Sequence, residues 1–345
     1  MRNLNDLMKK YNDFVYKYKD ITPSIQQIPI TKQNSFQYVG GQILNKKLYA
    51  VVNSAETMLR YDIKGGKVNF LGNFPKEDFK WTGGCIYKNV FYAFPRKSGS
   101  LLAFDIERET FSQIICPFSY DGEHHYGGVC TKDGIIYQPP RSSNNILKWD
   151  IASGICEEII INDGAKGRYC GSILHPDGYV YFIPEAGFCV LKMDLRTEKI
   201  VPIGEPVQGF TFDLKIAKNG NIYGFRSATH IGGIMKIDTK KDTVSILYED
   251  VLFASYGTKA GINGKFYSLP GYTKDVWEFD PETEGLRVVH TINSEQKVHY
   301  AGGATDVNGN VYAVPVFAED VLALKFKEDV EIPLDIYKAF FVDFY

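Results

Sequence analysis

Residues 168–198 read RYCGSILHPDGYVYFIPEAGFCVLKMDLRTE. Short apolar or alternating segments at 169–174, 179–183 and 189–193 are divided by turn formers at 176–178, 184–187 and 194–197, and a fourth segment follows at 200–203. Alternation bounded by Gly, Pro and Asp is the pattern of strands joined by tight turns. Working outward, the same unit recurs along the chain. Aligned on a tyrosine that follows a turn and an apolar residue, it places Tyr49, Tyr92, Tyr137, Tyr181, Tyr223, Tyr267 and Tyr312 at spacings of 43, 45, 44, 42, 44 and 45. Thirteen residues after the tyrosine stand Asp62, Asp105, Asp150, Asp194 and Asp280, with Lys325 in the last copy and Asp238 two residues late in the fifth. Before the tyrosine come Gly40–Gly41, Gly83–Gly84, Gly127–Gly128, Gly171, Gly257 and Gly302–Gly303, but Asp213 in the fifth copy.

Four short strands per unit of this length match one propeller blade, and closing the blades into a ring removes the exposed edges that an open stack presents. The expected fold is therefore all-β, a single seven-bladed β-propeller of four-stranded antiparallel blades over residues 24–334. An N-terminal amphipathic helix precedes it in 1–23 and a short aromatic tail follows in 335–345. Leu4, Leu7, Met8, Tyr11, Phe14, Val15 and Tyr18 form one stripe at helical spacing, expected to pack on the propeller or the tail, or to meet a partner protein or a second copy of the chain. Two segments compete to close the last blade: residues 24–30, seven ahead of Gln37 as Ile203 is ahead of Phe210, and residues 330–334. The N-terminal segment is favoured, which leaves Tyr337, Phe340, Phe341 and Phe344 in a tail that needs cover.

A net charge of −2 and a pI near 6.3 supply no global field for nucleic acid. No apolar run reaches the roughly 18–20 residues of a membrane span. Asn3, Asn5 and Asp6 occupy the place of a signal peptide's basic start, so a cytoplasmic location is expected. Six cysteines without a CxxC pair read as buried reduced thiols, Cys85 and Cys130 filling the same slot in adjacent copies. No metal or cofactor is expected.

Because each copy shows what a blade needs, departures among copies point to function. Two columns are expected to meet at one mouth of the channel. The first is Gln37, Lys80, His124, Arg168, Phe210, Ala254 and His299, each followed by Tyr38, Trp81, His125, Tyr169, Thr211, Ser255 and Tyr300. The second, just after the second strand, is Asn53, Arg96, Arg141, Glu185, Arg226, Gly271 and Val316. Together they predict a cationic cup in which arginines grip an anion through paired hydrogen bonds while Trp81, Tyr169 and Tyr300 offer flat faces to its uncharged part. The fifth copy adds His230 and two inserted residues and breaks several rules of the repeat at once. The expected function is recognition of an anionic small molecule, glycan or peptide at this mouth. The alternatives are a lyase or hydrolase using Glu185 with His124, His125 or His299, and a scaffold for a protein partner. There is no GxSxG elbow, phosphate loop or dinucleotide fingerprint.

The double glycine, the turn, the apolar–Tyr pair and a later strand ending FDxxT, as at 279–283, resemble kelch, YVTN and streptogramin-lyase-like propeller repeats over Tyr38 to Phe326. The resemblance implies the architecture. Kelch repeats set their double glycine after the second strand, whereas Gly83–Gly84 precede it, and lyase-like repeats carry a tryptophan where Tyr181 and its equivalents stand. No catalytic pair is carried over.

Overall fold

The computed structural model describes residues 4–30, 38–119, 125–141, 143–161, 168–185, 187–227, 229–327, 329–342 and 344. They form seven four-stranded antiparallel sheets arranged as propeller blades. Six blades are continuous in sequence, within 38–71, 81–115, 129–160, 169–207, 215–247 and 255–291. The seventh takes three strands from 300–325 and its outermost strand, β1 (Ser24–Pro29), from the N-terminus, with Ser24 opposite Lys325 and Pro29 opposite Asp320. Residues 330–334 instead run beneath blade 7, where the Ile332 N–H donates to the Val307 carbonyl.

Each anchor of the repeat has a distinct mechanical job. The seven tyrosines lie on second strands and are buried. They join blades: the Tyr49 ring is 5.7 Å from Phe104 of blade 2, and Tyr223 is 5.4 Å from Phe279 of blade 6. The aspartates end third strands and close the turn to the fourth. Asp62 Oδ1 accepts from the Gly65 and Lys64 N–H groups at 2.8 and 3.0 Å, and these bonds, Gly65's foremost, hold its carboxyl below the usual range. The seventh copy has Lys325 at this place because no such hairpin follows it; its fourth strand is β1. The glycines make a bulge in the innermost strand, as between Trp81 and Gly84. Gly83 takes φ 68°, and a Cβ on Gly84 would come 2.5 Å from the Tyr92 carbonyl oxygen.

The two chain ends cap one face together. Helix α1 (Leu4–Tyr18) buries Tyr11, Phe14 and Val15, as its stripe predicts. The C-terminal turn Leu334–Ile336 continues into a widened helical turn, Tyr337–Phe341. Tyr11 stacks on Phe340 at 4.0 Å and meets Phe341 edge-on. This cap sits over the hairpins between first and second strands, where Asn263 Nδ2 donates to the Ile21 carbonyl and Tyr337 Oη to the Thr305 carbonyl. From there the tail enters the channel, and the Phe344 carbonyl accepts from the Gly84 N–H at 2.8 Å. Among the described residues no helix is long and apolar enough to cross a membrane.

Candidate functional site

On the face opposite the cap the two columns do meet. The backbone N–H groups of Arg96, Glu185 and Val316 donate to the carbonyls of Lys80, Arg168 and His299 at 2.9, 2.6 and 2.8 Å. In blade 5 the equivalent donor, to Phe210, is Ser227. Arg226 therefore stands one residue earlier, where blades 2 and 4 have Pro95 and Pro184, and it turns inward. Its Nη1 donates to the Gly232 carbonyl at 2.7 Å, and burial lowers its pKa from the ordinary value. The inserted residues of the fifth copy thus wrap their own arginine, while His230 is exposed beside them.

Column neighbours expected to face a ligand are latches within their blades. Trp81 Nε1 donates to the Ser100 carbonyl at 2.8 Å, Tyr169 Oη to the Cys189 carbonyl at 3.3 Å, and Tyr300 Oη to Asp320. All three side chains are at most 2% exposed, so their rings are not available as ligand faces. His125 fills the same slot, with Nε2 at 3.2 Å from the Asn145 carbonyl and from Ser143 Oγ. The strand entry is where the innermost strand must be tied to the third, and a long side chain with a polar tip spans that gap. Lys80 is likewise buried, with Nζ donating to the Glu77 carbonyl at 2.7 Å; burial lowers its pKa, against nearby Glu77. His299 is 1% exposed, and burial, then Lys274, hold its pKa down. Gln37 and His124 lie outside the described residues.

The structure does bring together Arg96, Arg141, Arg168 and Glu185. The guanidiniums of Arg96 and Arg141 lie 4.5 and 4.9 Å from the ring centre of Tyr126, and that of Arg96 is also 4.1 Å from Phe79. Glu185 joins the neighbouring blades, with Oε1 3.5 Å from Arg141 Nη2 and Oε2 3.0 Å from Arg168 Nε. Arg168 is the exposed member, its side chain 57% accessible. Tyr126 stacks on Phe212 at 5.1 Å, which meets Phe210 at 4.9 Å and Tyr256 at 5.2 Å; Tyr272 follows at 5.5 Å. The mouth is an aromatic arc from blades 3, 5 and 6, bordered by three guanidiniums and one carboxylate. Tyr126, Phe212 and Tyr256 share one position of the repeat, two residues after the first column, and that column of aromatics was the available sequence signal for them.

Below the arc, Asp213 accepts from Lys259 Nζ at 2.5 Å and Lys215 Nζ at 3.2 Å, all three buried on the innermost wall of blades 5 and 6. Lys259 also donates to the Gly303 carbonyl of blade 7. The loss of the glycine signature in blade 5 thus introduces a buried ionic joint. Among the described residues no group of three or more His, Cys, Asp or Glu is placed to hold a metal ion.

The chain is a seven-bladed β-propeller whose structural neighbours are streptogramin B lyase-like propellers. A streptogramin B lyase structure superposes with a TM-score of 0.73 at 13% identity, over 89% of this chain and 98% of that one. The catalytically inactive virginiamycin B lyase from Staphylococcus aureus with quinupristin gives 0.73 at 12% identity, over 88% and 99%. Kuenenia stuttgartiensis hydrazine synthase gives 0.67 at 13% identity, over 86% and 97%. At these identities the likeness is one of fold. No known family signature matches the chain, and no curated protein matches it.

Proposed function

We propose that the uncapped mouth binds a small anionic ligand with an aromatic or apolar body. The observation that supports this most is the convergence of Arg96 and Arg141 on Tyr126, with Arg168 drawn in through Glu185. An incoming carboxylate or phosphate competes with Glu185 for Arg141 and Arg168, while the arc formed by Phe210, Tyr256 and Tyr272 takes the apolar part. Binding is preferred to acid–base chemistry because Glu185 is engaged by two guanidiniums, and His125 and His299 are buried within their blades.

The test is calorimetric titration with phenyl phosphate and benzoate, with benzamide as the neutral comparison. The anions are expected to bind in preference to benzamide. Arg141→Ala removes a charge-assisted contact of about 1.5–3 kcal/mol, which corresponds to roughly tenfold or more in affinity. Equal binding of benzamide, or unchanged affinity in Arg141→Ala, would refute the reading.

A further inference from the structure

Blades 2 and 3 meet through two pairs of cysteines, and the pairs differ in access. Cys85 and Cys130 are 2% and 8% exposed inside one apolar cluster, and burial, then the hydrogen bond to Cys130, drive the Cys85 thiol far above its ordinary pKa. Such a pair is inert. The second pair lies toward the rim. Cys116 follows the outer strand of blade 2, Thr110–Ile115, and is partly exposed; Cys156 lies on the outer strand of blade 3, Ile155–Ile160. Their thiols are hydrogen-bonded to one another. A cavity of about 100 Å³ opens beside Cys116, lined also by Ser98, Phe118, His125 and Leu147.

Access separates the roles of the two sulfurs: Cys116 is partly exposed beside the cavity, whereas Cys156 is 8% exposed. The hydrogen bond between the thiols, foremost among the causes at each, lowers Cys116 to about 7 and pushes Cys156 up. The carboxylates facing the pair, Glu158 and, for Cys156, Glu157, act against a thiolate, so the bond between the thiols dominates at Cys116.

We infer that Cys116 and Cys156 form a thiol-modification site that reacts with low-molecular-weight disulfides and closes to an inter-blade disulfide. The Cys116 thiolate attacks one sulfur of the reagent RSSR, forming a mixed disulfide and expelling RS⁻, which takes up a proton. Cys156 then loses its proton and attacks Cys116 Sγ, expelling a second RS⁻ that is protonated in turn. The two protein thiols are oxidised to one disulfide and RSSR is reduced to two RSH. The closed loop runs from 116 to 156 and contains Tyr126 and Arg141, so the bond ties down the segment that builds one side of the mouth.

The test exposes the native full-length chain to oxidised glutathione, followed by alkylation of remaining thiols and peptide mass mapping. The expected product links Cys116 to Cys156, leaves the other four cysteines alkylatable and reverts with dithiothreitol. In Cys156→Ala, Cys116 is expected to retain one glutathione, since no second thiol resolves it; a circular dichroism melt confirms that this variant is folded. The inference fails if the wild-type chain keeps both thiols free under conditions that oxidise small dithiols. It also fails if glutathione persists on wild-type Cys116, or if Cys189 or the Cys85–Cys130 pair reacts first.

Discussion

Replacing Asp213 by alanine tests whether blade 5 exchanged a glycine for an ionic joint between blades. The substitution removes the carboxylate that Lys215 and Lys259 share at 3.2 and 2.5 Å, in a setting where all three residues are at most 5% exposed. Two charge-assisted hydrogen bonds at about 1.5–3 kcal/mol each total about 3–6 kcal/mol. Breaking a buried ion pair from one side costs about 3–5 kcal/mol, because ammonium groups are left in a medium that solvates them poorly. The expected loss in unfolding free energy is about 3–5 kcal/mol. Urea unfolding followed by far-ultraviolet circular dichroism measures it. Replacing both lysines by methionine in the Asp213→Ala background is expected to recover most of the loss, since apolar groups of similar length in place of buried charges are commonly neutral or stabilising. A loss below about 1 kcal/mol, or a triple variant no more stable than the single one, would show that the cluster is not a joint and that blade 5 is held by its apolar contacts.

Two further outcomes are expected. Glu278 is 3% exposed; burial raises its pKa, but hydrogen bonds from Arg287, Lys265 and Tyr267 outweigh this and hold the carboxyl below the usual range. With the folded pKa lowered, its stabilisation is full above the unfolded value near 4.3 and is lost as pH falls through the folded value, so Glu278→Gln should flatten the decline of the urea midpoint between about pH 5 and pH 3. Tyr11→Phe should leave the melting temperature unchanged or higher, because the Tyr11 hydroxyl is buried with no hydrogen-bond partner among the described residues while its ring keeps the stack on Phe340; a fall of several degrees contradicts this.

The ring and its blade boundaries were legible because strand, turn and bulge each imposed a residue type that recurs in phase. The site was only half legible. Arg96, Arg141, Arg168 and Glu185 were found because they depart from their columns, but the same reasoning included Arg226, which stands three rather than four residues after its tyrosine, in the slot of Pro95 and Pro184, and folds inward. Trp81, Tyr169 and Tyr300 look in sequence like exposed aromatics at strand entries; only the third strand, about twenty residues further on, supplies the acceptors that bury them. Tyr126 was missed because it follows two histidines that draw attention as ligands, although its role is visible once its column is compared with Phe212 and Tyr256. The ionic joint shows the same limit: Asp213 stands out against the glycines, but Lys259 comes from the next blade and is paired with it only when blades 5 and 6 pack side by side.

Among the strands of the propeller β1 is made first, yet its partner is made last: the Ser24 hydroxyl bonds the Lys325 carbonyl across 301 residues of chain. At about 5–20 residues per second on the ribosome, β1 waits roughly 15–60 s before that partner exists. Throughout this interval blade 1 and the most recently completed blade each present an unmatched flank, and unpaired strand edges are templates for wrong pairing. The nascent molecule therefore stays exposed to self-association until its final blade arrives, and a message truncated before Lys325 yields a product whose opening strand has nowhere to dock. Closure reports that translation has run through the seventh blade, a form of length control built into the order of strands.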